Sequence, residues 1–199
     1  MFTRTLLRTL RSVSPGELLV RIRRNHALEH ATINLLSRRY PDAQVAGLSG
    51  PLGFTLLSNL TGEQVVPTVR QALGSLKTGQ QNLAWHEHCG TNLVVTAGLT
   101  TLATVAGLGG YVFSRSRRER SPMGFFERLP HVVLLNVIAL LAAPPLSRWA
   151  QLNITTNADL RDVEIASIFT DYRGRLHRIS VQTSHGAQAP TQHIELAAS

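Results

Sequence analysis

Two histidines four residues apart, His26 and His30, form with Glu29 the pattern of clearest chemical meaning in this chain. Residues at this spacing share one face of a helix, so both imidazoles can reach a single metal ion. A carboxylate beside such an ion can take a proton from a bound water. The spacing therefore predicts that His26 and His30 bind a metal and that Glu29 acts as a general base. The alternative is a pair of partly exposed helix histidines without a ligand.

A second group of metal-binding residue types lies in the segment 85–91, just before a long apolar stretch. Histidine nitrogen and cysteine thiolate are the ligands that zinc prefers, and Gly90 permits a turn that presents them together. We therefore predict that His86 and Cys89 join the two helix histidines around zinc or another divalent transition metal. Four protein ligands make a closed, structural site, whereas catalysis requires one of them to stay out of the shell. The alternative is an exposed loop with an inert cysteine.

The segments around these motifs are predicted to form a small α+β head. Apolar spacing predicts a helix over residues 15–39, capped by Ser14, and Thr61 begins a second helix that ends near Lys77. Turn signals at residues 50–53 and 171–174 predict two pairs of short strands. The predicted strands are Gln44–Leu48, Phe54–Asn59, Val163–Phe169 and Leu176–Gln182.

Two apolar segments, 91–114 and 131–146, interrupt the head. The first carries no charged residue and has the roughly 20 residues that a membrane-spanning helix needs. The second is expected to end at Pro144-Pro145, because proline cannot continue a helix. They predict a two-helix transmembrane hairpin; the alternative is a buried helix pair in a soluble protein. The predicted divisions are a basic amphipathic segment 1–14, a head 15–90, a hairpin 91–147 with a basic loop 115–129, a C-terminal β-hairpin segment 148–183 and a flexible tail 184–199.

The net charge of +8 arises almost wholly from arginine, since Lys77 is the one lysine. The arginines concentrate near the N-terminus and in the loop 115–129 without a platform of aromatic residues, so nucleic acid is not an expected partner. Arg4, Arg8 and Arg11 are expected to contact anionic lipid headgroups from an amphipathic helix on the bilayer. The positive-inside rule places the loop in the cytoplasm, which would require the basic N-terminal portion to cross the membrane. Both orientations of the head relative to the membrane therefore stay open.

The chain resembles an uncharacterised bacterial membrane family, domain of unknown function 6391, in three segments that keep their order: RNHALEHATINLLSRR, AGLSGPLGF and LAWHEHCGTNLVV. It is more distantly similar to a family of predicted membrane-associated metal-dependent enzymes, domain of unknown function 1385, and H-x-x-E-H is also the order of inverted zinc metallopeptidases. The residues that match the second family are His26, Glu29, His30, His86, Cys89, Gly90, Thr91, Thr155, Thr156, Glu164, Ile165 and Ala166. Glu87 and His88 depart from its pattern, so His88 is either an extra ligand or a surface residue. The resemblance implies a metal-dependent membrane protein and no named reaction.

The leading hypothesis is a multi-pass protein of the bacterial plasma membrane that acts as a zinc hydrolase on an unknown substrate. The alternatives are a non-catalytic, membrane-anchored assembly module with a structural metal or none, and a redox sensor based on Cys89. Glu164 is a further candidate ligand, and the alternative is that it is an outward-facing strand residue. The segment GLSGPLG lacks the Lys and Ser/Thr of a phosphate-binding loop, so nucleotide binding is not expected.

Overall fold

The computed structural model describes residues 14–87, 89–113, 122–174, 176–186 and 193–195. The chain divides into two compact units. One is a head formed by the residues up to His86 together with those from Leu152 onward, and the other is the helical segment between them. The head therefore combines two portions of chain that the apolar segments separate in sequence.

Helix α1, Pro15–Arg39, has the bounds that the sequence predicts. The Ser14 hydroxyl accepts a hydrogen bond from the Glu17 N–H at 3.2 Å, and Pro15 takes the first helical position, where its missing N–H costs nothing. Leu28 and Leu36 are among the α1 side chains that are fully buried. This helix carries the first motif into the interior of the head.

The sheet consists of four antiparallel strands and one short parallel strand, in the order β1-β2-β4-β3-β5. Its strands are β1 (Val45–Gly50), β2 (Gly53–Ser58), β3 (Val163–Arg173), β4 (Leu176–His185) and β5 (His193–Glu195). Gly53 has a φ of 144°, and a Cβ there would lie 1.9 Å from the Val181 carbonyl oxygen. Only glycine therefore allows β2 to approach β4 so closely at this turn.

The C-terminal strands are longer than the sequence predicts. β3 continues through Asp171 to Arg173, so the turn includes Gly174, whose φ is +67°. Ser184 and His185, which the predicted flexible tail includes, belong to β4. Residues 187–192 and 196–199 of that tail lie outside the described residues, as does the predicted amphipathic segment up to residue 13.

Helix α2, Gly62–Lys77, begins with the predicted capping box of Thr61 and Gln64. Helices α1 and α2 pack against the sheet, and the core between them is aliphatic. Its largest fully buried side chains are Leu28, Leu36, Leu56, Val65, Val69, Leu160, Val163, Ile179 and Val181. A short 3-10 helix, Gln81–Ala84, follows α2 and leads to the second motif.

The helical unit contains α3 (Gly90–Phe113) and α4 (Pro122–Ala150). Both are long and apolar enough to cross a membrane. The prediction that the second helix ends at Pro144-Pro145 is wrong, because α4 continues to Ala150 and π-helical residues Gln151–Thr155 follow. Proline removes a backbone donor, but apolar helices tolerate this loss where neighbouring groups or local π-helical geometry adjust. Residues 115–121 of the predicted basic loop lie outside the described part of the chain, whereas residues 122–129 of that loop belong to α4.

The two helices approach each other closely at Gly107. A Cβ at this position would lie 2.7 Å from Val132 Cγ2 and 3.0 Å from Val132 Cα. One turn away, the Asn136 amide donates a hydrogen bond to the Thr104 hydroxyl at 3.0 Å. A small residue and an interhelical hydrogen bond are the devices that hold helices together in lipid.

Candidate metal centre

Helix α1 places the rings of His26 and His30 in direct contact. Their centroids are 4.2 Å apart and their planes are inclined by 64°. His30 is 2% exposed and His26 is half-buried. The predicted sharing of one helix face is thus confirmed for the two histidines.

A backbone carbonyl orients each ring through Nδ1. His26 Nδ1 lies 3.0 Å from the Thr155 carbonyl oxygen, and His30 Nδ1 lies 2.7 Å from that of Ala84. Because a carbonyl can only accept, these contacts place the ring proton on Nδ1 and the lone pair on Nε2. Metal-binding histidines are oriented in this manner, by a hydrogen bond from the nitrogen that does not bind the metal.

The segment that carries the second motif is tied to α1 by Asn34. Its side-chain amide donates to the carbonyl of Leu83 at 3.0 Å and to that of Trp85 at 2.6 Å. These bonds fix the chain on both sides of Ala84, the residue that orients His30. The ring centroid of the next residue, His86, lies 5.8 Å from that of His30.

Cys89 follows His86 by three residues and immediately precedes α3. Its sulfur accepts the Thr91 N–H at 3.4 Å, and its carbonyl accepts the Asn92 N–H at 2.9 Å. The N-terminal end of a helix stabilises negative charge, which is the charge that a metal-bound thiolate carries. The role of Cys89 as a metal ligand beside the two helix histidines stays a prediction.

Glu29 is 5% exposed and lies against β1. Its Oε2 accepts a hydrogen bond from the Ser49 hydroxyl. A Cβ on Gly47 would lie 2.2 Å from Glu29 Oε1, so the carboxylate occupies space that only glycine leaves open. Gly47 and Ser49 thus hold Glu29 in place, and neither was predicted from the sequence to contribute to the site. Their spacing in the AGLSG segment could have identified them, because residues two apart in a strand face the same side.

Asn25, the residue before His26, is fully buried and connects three elements. Its amide donates to the Gly50 carbonyl at 2.7 Å, and its Oδ1 accepts from the Thr183 hydroxyl at 2.7 Å. The bonds tie α1 to the end of β1 and to β4. The position of the motif helix on the sheet is therefore fixed by polar contacts as well as by apolar packing.

The remaining candidates are placed elsewhere or act through the backbone. Thr155 contributes its carbonyl to His26, and the Thr156 carbonyl accepts a bond from Arg23 at 3.1 Å. Glu164 lies on β3 and forms a salt bridge with Lys77. Its role as a further metal ligand stays a prediction. His88 lies outside the described residues.

The family model described as Domain of unknown function (DUF6391) matches residues 21–168, and the chain belongs to this family. The predicted membership is confirmed, whereas the wider relationship to domain of unknown function 1385 stays a prediction. The chain is also similar to an uncharacterized protein of Picosynechococcus sp. (strain ATCC 27264 / PCC 7002 / PR-6), with 33% identity over 144 residues. That alignment covers 68% of this chain and 65% of the relative, so the chain spans slightly less than two thirds of the relative's length. No solved structure matches the chain.

Proposed function

We propose that this protein is a membrane-anchored, metal-dependent hydrolase that binds zinc through His26, His30 and Cys89. The observation that carries the proposal is the pair of contacting histidines whose Nδ1 atoms are both engaged by carbonyls. This arrangement directs a lone pair from each Nε2, and the Cys89 thiolate is proposed as the third ligand because its residue type and motif match. Histidine nitrogen and cysteine thiolate are ligand types that zinc prefers, and three protein ligands would leave the fourth position for water, as in catalytic zinc sites.

Glu29 is proposed as the general base, because it is the buried carboxylate next to His30 in the motif. The Ser49 hydroxyl donates a hydrogen bond to Glu29 Oε2 and so helps to fix the position of this carboxylate. Zinc, when bound, supplies a water of lowered pKa and polarises a substrate carbonyl. The protein positions the side chains: the carbonyls of Thr155 and Ala84 orient the two imidazole rings, and β1 holds the Glu29 carboxylate in place.

Membrane insertion is supported by the surface of the two apolar helices. Only 6% of the residues in the apolar window of α3 and 11% in that of α4 are buried. Core helices of soluble proteins bury most of their apolar side chains, whereas Leu93 and Leu141 are each 74% exposed. We propose a multi-pass protein of the bacterial plasma membrane, with the N-terminal arginines on anionic headgroups.

The experiment is metal analysis and hydrolysis assays on full-length protein purified in detergent without chelator. His26→Ala/His30→Ala should lose the zinc, and Glu29→Gln should keep it and lose hydrolysis. His177→Ala is the matched control, because this histidine lies on β4, contacts Tyr172 and is not one of the proposed metal ligands. Loss of zinc from Glu29→Gln would contradict the general-base role.

The second candidate is a non-catalytic assembly module with a structural metal. It is favoured by His86, whose ring lies 5.8 Å from that of His30 and could close the shell as a fourth ligand. In that case His86→Ala should release zinc as fully as His26→Ala does, and no variant should affect a hydrolytic activity. Under the leading proposal, His86→Ala retains zinc.

A further inference from the structure

A polar pocket of about 540 Å³ opens on the head. Its walls come from α1, from the 3-10 helix and from the chain between Leu152 and Asp159, all of which belong to the head. Its volume is within the range of about 300–1,000 Å³ that is usual for small-molecule sites. None of the lining residues is a proposed metal ligand, and none belongs to the predicted amphipathic segment 1–14. The pocket is therefore a second candidate site of the head.

The pocket contains one positive charge that no carboxylate neutralises, that of Arg23. Its Nη2 donates to the carbonyl oxygens of Asn153 and Thr156 at 2.8 and 3.1 Å, and both of these acceptors are neutral. The ion pairs between described residues do not include Arg23, and its buried Nε has no hydrogen-bond partner. A half-buried cation without a counter-ion is costly, so this guanidinium favours a negatively charged ligand.

Asp159, the carboxylate of the lining, does not neutralise Arg23. It accepts two hydrogen bonds from Arg161, at 2.8 and 2.9 Å, and this contact lowers the pKa of the Asp159 carboxyl to about 2. Asp159 is therefore ionised at neutral pH, and its negative charge is balanced by the positive charge of Arg161. The positive charge of Arg23 is left as the uncompensated charge of the pocket.

Hydrogen-bond donors from three segments of chain line the pocket. The Nη1 group of Arg23 has no hydrogen-bond partner in the described chain and is not buried, so its N–H groups can donate to a ligand. Asn157 Oδ1 accepts the Asp159 N–H at 3.0 Å, which leaves the Asn157 NH₂ group as the donor. Gln81 and Asn82 are exposed and form no side-chain hydrogen bond within the described chain. Donors on separate segments suit the several oxygens of a tetrahedral phosphate better than the two oxygens of a planar carboxylate.

We propose that this pocket binds a phosphodiester group with a small polar substituent. A phosphodiester carries one negative charge, which matches the one uncompensated guanidinium, whereas a phosphate monoester carries about −1.5 to −2 at pH 7. The carboxamides would bind the neutral remainder of the ligand. Leu152 and Asn153 line the pocket and belong to the last residues of the second candidate membrane span, Met123–Thr155. A phospholipid headgroup is therefore one source of the phosphodiester, and this source rests on the proposed membrane insertion; a water-soluble phosphodiester is the other.

The test is titration calorimetry on the full-length chain in an uncharged detergent. The phosphodiester probes are soluble glycerophosphoglycerol and short-chain phosphatidylglycerol, and inorganic phosphate, acetate and glycerol are the comparison probes. Arg23→Gln removes the charge, and Gln81→Ala/Asn82→Ala removes two neutral donors without breaking a side-chain hydrogen bond of the described chain. Arg70→Gln is the matched control, because it removes one positive charge from an exposed residue of α2 outside the lining.

We expect a phosphodiester to bind more tightly than the three comparison probes. Arg23→Gln should weaken its binding about tenfold or more, as the loss of hydrogen bonds from a charged group implies, and the double variant should weaken it about fivefold. Arg70→Gln should match the wild type. Binding of glycerophosphoglycerol would support a soluble ligand, and binding of phosphatidylglycerol alone would support the lipid headgroup.

The inference is overturned if neither phosphodiester binds, if a comparison probe binds more tightly, or if Arg70→Gln and Arg23→Gln weaken binding equally. Because Arg23→Gln also breaks two hydrogen bonds of the head, the double variant decides the matter should Arg23→Gln fail to fold. Unchanged affinity in the double variant would then overturn the inference. Zinc content is not an outcome of this test, so the metal centre stands or falls separately.

Discussion

Replacing Gly47 by alanine should test whether the carboxylate of Glu29 is held by β1. The added Cβ would lie 2.2, 2.6 and 2.8 Å from Oε1, Cδ and Cγ of Glu29, and all three atoms belong to one buried side chain. Overpacking of this kind costs about 1–3 kcal/mol, and a hydrogen bond to a charged group contributes about 1.5–3 kcal/mol. Moving Glu29 also breaks its bond with Ser49, but the two costs fall on one side chain and are not additive, so we expect a total loss of about 2–4 kcal/mol in the free energy of unfolding.

The assay is thermal unfolding of the full-length chain in detergent. For a chain of this length, each kcal/mol shifts Tm by about 2–4 °C, so Gly47→Ala should lower Tm by roughly 4–16 °C. Gly50→Ala is the matched control on the same strand, because its Cβ would meet only the Gly53 carbonyl oxygen at 3.9 Å. That variant should unfold within about 2 °C of the wild type, as surface substitutions usually do.

A double-mutant cycle then identifies the cause. Glu29→Ala removes all three atoms that the new Cβ would meet, so Gly47→Ala should cost little in that background. The reasoning is refuted if Gly47→Ala and Gly50→Ala unfold alike, or if the cost of Gly47→Ala is the same with and without Glu29. Zinc content should be unchanged in Gly47→Ala, because the substitution does not reach the ligands, whereas hydrolysis should fall.

Three further predictions concern other parts of the molecule. Asn34→Ala should weaken zinc binding about tenfold in a chelator competition assay, because it releases the segment that orients His30; equal affinity would contradict this role. Burial, with two arginines of α1, lowers the pKa of His185 to about 4, so the unfolded chain takes up this proton first and stability falls as pH drops from about 6.5 toward 4. His185→Gln should make this loss of stability smaller by about 1–2 kcal/mol, a value lowered because the His185 side chain is partly exposed. A pH profile of stability parallel to that of the wild type would refute the prediction. Gly107→Ala should destabilise the helical hairpin by about 1–3 kcal/mol while Gly109→Ala, with open space around it, does not; equal effects would argue against close helix contact.

Local signals predict the helices of the head well. Ser14 with Pro15, and Thr61 with Gln64, are short-range capping patterns, and the structure confirms both of the helix starts that they indicate. The contact between His26 and His30 follows from helical spacing alone, so it could be predicted without knowledge of the fold. These features depend on residues that are close in sequence.

Features that depend on distant residues could not be predicted. The carbonyls that orient the histidines come from Ala84 and Thr155, which are separated from their partners by 54 and 129 positions. The need for glycine at position 47 arises only when β1 lies against Glu29. The continuation of α4 past Pro144-Pro145 was mispredicted because a local rule about proline was applied where the helix tolerates the missing donors.

Metal content is the most direct test of the central claim. Full-length protein purified in detergent without chelator should contain about one zinc per chain, as a site of three protein ligands requires. His26→Ala/His30→Ala should contain none, while His177→Ala should match the wild type. Zinc retained in the double variant, or no metal in the wild type, would contradict the account.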